Sequence, residues 1–293
     1  MSRYSRREFV KAGLAVGALA SVGSLPLQAE RQTATDMVML GKSKVRVTRL
    51  AFGTGTFGGR VQRDLGQKEF TRLVRYAHER GIRFFETAES YDDMHRMLGV
   101  ALEGVPRDSY QLMSKVTTTP GVNAMDKIDA LRREAKTEYF DIMLLHWQHS
   151  STWPVDTIAW QDGIDEAEHK KVVLSRGASV HGLPALRQVP GDSWLDVAMI
   201  RMNHKGVRMD AEDYETDGLG NVPEVVHRVQ QARAKGMGVI SMKLIGEGVF
   251  NREDRRKAMK FAFRNAGVDS VTVGYKNTSE IDEAIDNLNR ALA

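Results

Sequence analysis

The chain has 293 residues, 42% hydrophobic and 27% charged, which suits one large globular domain and excludes a collagenous or a strongly disordered composition. With no cysteine it has neither disulfides nor thiolate metal sites, and it is indifferent to the redox poise of its compartment. The net charge of +4 is carried mostly by residues 1–29, where Arg3, Arg6, Arg7 and Lys11 stand against Glu8, so the remainder holds about +1 and carries no nucleic-acid footprint.

Taken in chain order, the first element is a targeting segment. Ser5-Arg6-Arg7-Glu8-Phe9-Val10-Lys11 resembles the twin-arginine export consensus. A short Ala/Gly/Leu/Val stretch follows, then Pro26 and a cleavage point after Ala29. The apolar stretch is too short and glycine-rich to span a bilayer, and no later stretch approaches that length. The expectation is a signal over residues 1–30, an exported or periplasmic protein handled by the twin-arginine machinery, and no stable membrane insertion.

A single folded domain is expected over 31–293. Met37–Leu40 and Val45–Val47, joined by Gly41-Lys42-Ser43-Lys44, read as a hairpin. Eight β-rich runs follow, at Leu50–Phe52, Arg83–Thr87, Tyr110–Ser114, Asp141–Leu145, Val172–Ser179, Asp196–Met202, Gly238–Lys243 and Ser270–Gly274. Helical periodicity separates them: Phe70, Leu73, Val74 and Ala77 share one face, as do Ile281, Ala284, Ile285 and Leu288. Further helices are expected at Met94–Leu102, Asp126–Thr137, Ile158–Lys170, Pro223–Lys235 and Glu253–Asn265, while the sixth connection, Leu183–Pro190, is short. Eight β/α units predict a (β/α)8 TIM barrel, whose chemistry sits where the strands end.

Those ends are informative. The second barrel strand closes as Glu86-Thr87-Ala88-Glu89-Ser90-Tyr91, the third as Met113-Ser114-Lys115, the fourth as Leu144-Leu145-His146-Trp147. An acid, a tyrosine, a lysine and a histidine therefore converge from three adjacent strands. In this order and spacing, over residues 37–290, the chain resembles the aldo-keto reductase family, most specifically in Thr87-Ala88-x-x-Tyr91 and Leu144-Leu145-His146-Trp147. The resemblance implies carbonyl–alcohol interconversion by hydride transfer from a nicotinamide dinucleotide. Tyr91 would be the general acid, assisted by Lys115, with Glu86 fixing Lys115 and His146 orienting the carbonyl oxygen. A free tyrosine is a poor acid at neutral pH, and a neighbouring ammonium favours the phenolate and so brings the donor nearer working range. Glu86 departs from the family, which has aspartate there.

The family binds its dinucleotide across the same rim. The resemblance puts Thr54, Gly55 and Thr56 near the ribose and reacting centre, and Ser179 on the carboxamide. Gly246 would let the backbone approach the pyrophosphate, with Lys243 adding charge. Gly274, Lys276, Asn277 and Glu280 would meet the adenosine, with Lys276 at a position that often contacts a 2′-phosphate, so NADP(H) is expected over NAD(H), and no metal. Asn277 and Glu280 also fit a capping box for the last helix. Arg201-Met202-Asn203-His204-Lys205-Gly206 reads as a solvated loop, the alternative being a pocket lining, with Trp147 and Trp153, for a sugar-like or anionic substrate.

Three other readings remain open on the residues alone. Gly53-x-Gly55-x-x-Gly58 fits a Rossmann glycine pattern, although Gly59–Gly66 intervenes before helical periodicity resumes. His146, His149, His181 and His204 are candidate ligands of a metal-dependent hydrolase on the same barrel. A cofactor-binding barrel or periplasmic binding module that has lost turnover would account for Glu86.

Overall fold

In the computed structural model, which describes residues 32–213 and 218–293, the barrel strands are short and buried almost throughout. This is what a parallel sheet covered by helices on one face and filled by its own side chains on the other requires. The strands are β3 (Leu50–Gly53), β4 (Phe84–Glu86), β5 (Gln111–Val116), β6 (Ile142–Gln148), β7 (Arg176–Val180), β8 (Val197–Arg201), β9 (Gly238–Met242) and β10 (Ser270–Val273). They close in the order β10-β3-β4-β5-β6-β7-β8-β9, every pairing parallel. This is the expected eight-stranded barrel, and it excludes the doubly wound alternative. The export segment expected over residues 1–30 lies outside the described residues.

The hairpin precedes the barrel as β1 (Met37–Met39) and β2 (Arg46–Thr48), paired antiparallel. Leu40, Val45 and Val47 pack with Phe84, Met113, Ile142, Val197 and Ile240, so the hairpin caps the barrel's interior core. Its approach depends on glycine. A Cβ on Gly238, at the start of β9, would stand 2.6 Å from Leu40 Cγ, and one on Gly41 only 2.1 Å from Gly238 N.

The second, larger core lies between strands and outer helices. Phe70, Leu73, Val74 and Ala77 are the buried face of the helix Gly66–Glu79, as their spacing predicts. Four helices begin with the same device, an asparagine whose side chain accepts the backbone N–H of an acidic residue three positions on. The pairs are Asn123 with Asp126, Asn221 with Glu224, Asn251 with Asp254, and Asn277 with Glu280. The helix expected over Glu253–Asn265 divides into Arg252–Lys260 and a π-turn, Phe261–Ala266, which Gly267 ends at φ 77°. β7 starts later than the expected Val172, because Lys171 at φ 60° turns the chain first and Val173 makes only an isolated bridge to Phe140.

Candidate active site

The four residues expected to converge do so at the C-terminal rim. Lys115, fully buried at the end of β5, is ion-paired with Glu86 Oε1 and donates a second hydrogen bond to the Thr87 carbonyl at 2.8 Å. Its ammonium stands 4.8 Å from the centre of the Tyr91 ring. The His146 ring meets Tyr91 edge-on, centroids 5.6 Å apart, and its Nδ1 contacts Ser90 Oγ at 3.2 Å. Glu86 thus pairs with Lys115 of the adjacent strand β5 and not with Arg83, which precedes β4.

Local backbone irregularity aims these groups. β6 shifts register against β7 between Leu145 and Gln148, and Trp147 inside the shift has φ 58°. A bulge of this kind re-aims side chains at a barrel rim, and a non-glycine residue in the left-handed region is strain of the sort found at functional sites. Trp147 is left half-exposed, with its ring edge-on to His149 and His181. On the other side a Cβ at Gly55 would stand 2.5 Å from Tyr91 Oη, so glycine there leaves room for the phenol.

A cavity runs from Tyr91 and Glu86 past the segment Lys243–Gly248 to Gly274, Lys276 and the first turns of the last helix. Of the residues expected to hold a nucleotide, Gly55, Thr56, Lys243, Gly274, Lys276 and Glu280 line it. The others do not line it. Thr54 gives both its N–H and its hydroxyl to the Glu86 carbonyl, at 3.1 and 3.0 Å, and so anchors the acid's backbone. Ser179 is buried, its hydroxyl 3.9 Å from the sulfur of Met242, which does line the cavity. Gly246, at φ 59°, lets its turn pack on the Phe250 ring. Asn277 caps the last helix, while Glu280 accepts the Lys276 N–H at 2.8 Å, close to the capping-box arrangement.

Charge in the cavity is more balanced than the sequence implies. Lys243 is ion-paired with Glu247, which Arg208 also approaches at 3.4 Å. Arg255 is held by Glu283 through two bonds, at 2.7 and 3.0 Å. Among the described residues, the Lys276 ammonium has no ion-pair partner. Glu247, Arg255, Glu283 and Thr272 are cavity residues that sequence reasoning passed over. Arg255 and Glu283 fall in runs of charge typical of solvated helix faces, and nothing local distinguishes them.

Burial dominates the protonation of the site. It pushes the Lys115 ammonium below the ordinary lysine range, against the opposing pull of Glu86. It also pushes the Tyr91 phenol well above the usual tyrosine range, helped by Glu86 and Glu247. That direction is opposite to the expectation of a lysine-lowered phenol, because desolvation of the phenolate and two nearby carboxylates outweigh the ammonium. His146 is pushed well below the usual imidazole range by burial first, and then by Lys115 and Lys243.

The segment Arg201–Gly206 is also corrected. Arg201 and Asn203 are buried, not solvated. Arg201 Nε and the Gly182 N–H both donate to Asp210 Oδ1 at 2.7 Å, and Asn203 binds the Val207 carbonyl at 2.6 Å, so these polar groups fasten the loop to the strand ends. Trp153 is buried with its indole N–H on the Ala185 carbonyl, so it is core and not pocket lining. Among the described residues no three His, Asp or Glu side chains come together as a metal-binding group.

Residues 49–291, nearly the whole barrel, match the model of the Aldo/keto reductase family. The chain belongs to that family. Aldo-keto reductases are oxidoreductases that use NAD(P)H. Among curated relatives, methylglyoxal reductase of Escherichia coli (strain K12) is 26% identical over 167 residues, covering 55% of this chain and 57% of its own length. A protein of Glycine max assigned as aldo-keto reductase 1 is 31% identical over 80 residues, 27% of this chain and 23% of that protein. The chain thus spans about half of the first relative and a quarter of the second. Among solved structures, an aldo-keto reductase of Bacillus halodurans in its holo form superposes with a TM-score of 0.68 at 16% identity, covering 88% of this chain and 95% of that one. A protein of Pseudomonas aeruginosa assigned to the aldo-keto reductases gives 0.71 at 20%, covering 90% and 99%. At these identities the structural likeness carries the fold.

Proposed function

We propose that the chain is an NADP(H)-dependent reductase of small carbonyl compounds in which Tyr91 transfers the proton. The observation that carries this reading is the meeting of Tyr91, Lys115, Glu86 and His146 at the head of a cavity that ends at Lys276. The cavity suits a dinucleotide, because it runs from the Tyr91 phenol along the glycine-lined ends of β3 and β10 to Lys276, an ammonium with no ion-pair partner among the described residues. Thr56, Lys243, Gly274 and Lys276 would hold the nucleotide, which supplies the hydride when bound.

The residues divide the remaining work. Tyr91 keeps its proton at neutral pH and is available as a donor to an oxygen gaining negative charge. Lys115 stabilises the phenolate left behind, an effect strengthened by the low dielectric around it. His146 is neutral, with Nδ1 engaged by Ser90. Among the described residues Nε2 has no partner, so it is free to hold the substrate oxygen. Lys276 favours NADP(H), since Arg255 is already committed to Glu283 while, among the described residues, the Lys276 ammonium has no ion-pair partner and could meet a 2′-phosphate.

A small hydroxylated, sugar-like substrate and export through the twin-arginine route, carrying bound nucleotide, complete the reading. They rest on the exposed Trp147 at the rim and on Arg6-Arg7. NADPH oxidation against a panel of small aldehydes, ketones and sugars, run beside a nucleotide titration, tests the core of it. Tight nucleotide binding with no turnover of any of them would contradict it.

A further inference from the structure

The acid that holds Lys115 is one methylene longer than the family's aspartate, and its extra length has a partner. Glu86 ends β4, and its neighbour in the ladder is Gly53 at the end of β3. Beyond β3 lies β10, which carries Thr272. Thr272 Oγ1 donates to Glu86 Oε2 at 3.2 Å, while Oε1 takes Lys115, so both carboxylate oxygens are engaged. Glu86 and Thr272 are both buried. A Cβ on Gly53 would stand 2.5 Å from Thr272 Oγ1 and 3.0 Å from Glu86 Oε2. The hydrogen bond between β4 and β10 therefore passes over a gap in β3 that any larger residue would fill.

We propose that Gly53, Glu86 and Thr272 form one positioning unit, in which Thr272 holds the Glu86 carboxylate against Lys115 from the far side of β3. The proposal rests on the reading of Tyr91 and Lys115 as the proton-transfer pair. Thr272 acts through Glu86 and is a positioning residue. An aspartate at position 86 would end about 1.5 Å short, one carbon–carbon bond, and held by its ion pair with Lys115 it would no longer reach Thr272. A hydrogen bond to a charged, buried group is among the stronger kinds, and its loss leaves the carboxylate free to turn.

The test compares the full chain with Thr272→Val, Thr272→Ser, Glu86→Asp and the Glu86→Asp/Thr272→Val double variant, by kcat/KM against pH and by denaturant unfolding. Thr272→Val should lower kcat/KM about tenfold with a much smaller change in NADPH affinity. It should also move the alkaline limb of the profile to lower pH, because Lys115 loses part of the counterweight to its burial. Thr272→Ser, which keeps the hydroxyl, should restore both. Thr272→Val should have little further effect on rate or unfolding in the Glu86→Asp background, since the contact is already broken there. Additive losses in the double variant, or a loss of rate with no shift of the limb, would overturn the proposal. The unfolding cycle reports the Glu86–Thr272 coupling even if Tyr91 proves dispensable, so failure of the clamp and failure of the catalytic reading are separate results.

Discussion

Glu247 and Lys243 face each other as an ion pair inside the cavity wall, at either end of a turn in which both residues hold left-handed backbone, with φ 55° and 56°. Glu247 puts a carboxylate where an anionic ligand would need the Lys243 ammonium. Its removal should therefore favour a dinucleotide. Glu247→Gln is expected to tighten NADPH binding about tenfold, measured by fluorescence titration, as one like-charge interaction at short range is relieved. Weaker binding by the variant would mean that the carboxylate supports the site.

The pH dependence follows from two displaced groups. Lys115 is held below its ordinary 10.5 by burial, with Glu86 opposing. As pH rises through that lowered value the ammonium is lost, so kcat/KM should begin to fall before the ordinary lysine range is reached. His146 lies well below its ordinary 6.5, so it is already neutral there and should add no acid limb near that pH. A profile that breaks at about 6.5 would show a histidine titrating in its usual range and would contradict the burial argument.

The proposed preference for NADP(H) rests on Lys276, which lines the far end of the cavity. Lys276→Ala should weaken NADP binding by about tenfold or more while leaving NAD binding little changed, because only the former has a 2′-phosphate for the ammonium to pair with. Equal losses for both nucleotides would remove Lys276 as the discriminator.

The barrel and the convergence of Glu86, Tyr91, Lys115 and His146 at its rim were largely legible in the sequence. Parallel strands buried on both faces appear as separate apolar runs, and Glu86, Lys115 and His146 each close or follow one, so their convergence followed from the barrel alone. Other features depend on contacts that no local pattern announces. Thr272 matters only because Gly53 opens a path to Glu86, and Lys243 is neutralised by a residue one turn away. Arg201 and Asn203 look like solvated loop because their partners, Asp210 and the Val207 carbonyl, come later in the chain. The sign of the Tyr91 shift was missed for a related reason. A list of charged neighbours does not include the desolvation that burial imposes.

Export is tested independently of catalysis. Arg6→Lys with Arg7→Lys should leave the precursor in the cytoplasm, because the paired guanidinium groups are read by a receptor and not by lipid. Cell fractionation distinguishes the outcomes, and a normal periplasmic yield of the double variant would refute twin-arginine export.

The central claim is that the Tyr91 hydroxyl moves the proton, and Tyr91→Phe examines that one oxygen. The ring can keep its place beside Lys115 and His146, so the fold and the nucleotide cavity should survive the change. The account predicts that kcat for carbonyl reduction falls by about 10²–10⁴-fold while the NADPH dissociation constant, measured on the same preparation, changes less than about twofold. Undiminished turnover by Tyr91→Phe would contradict it.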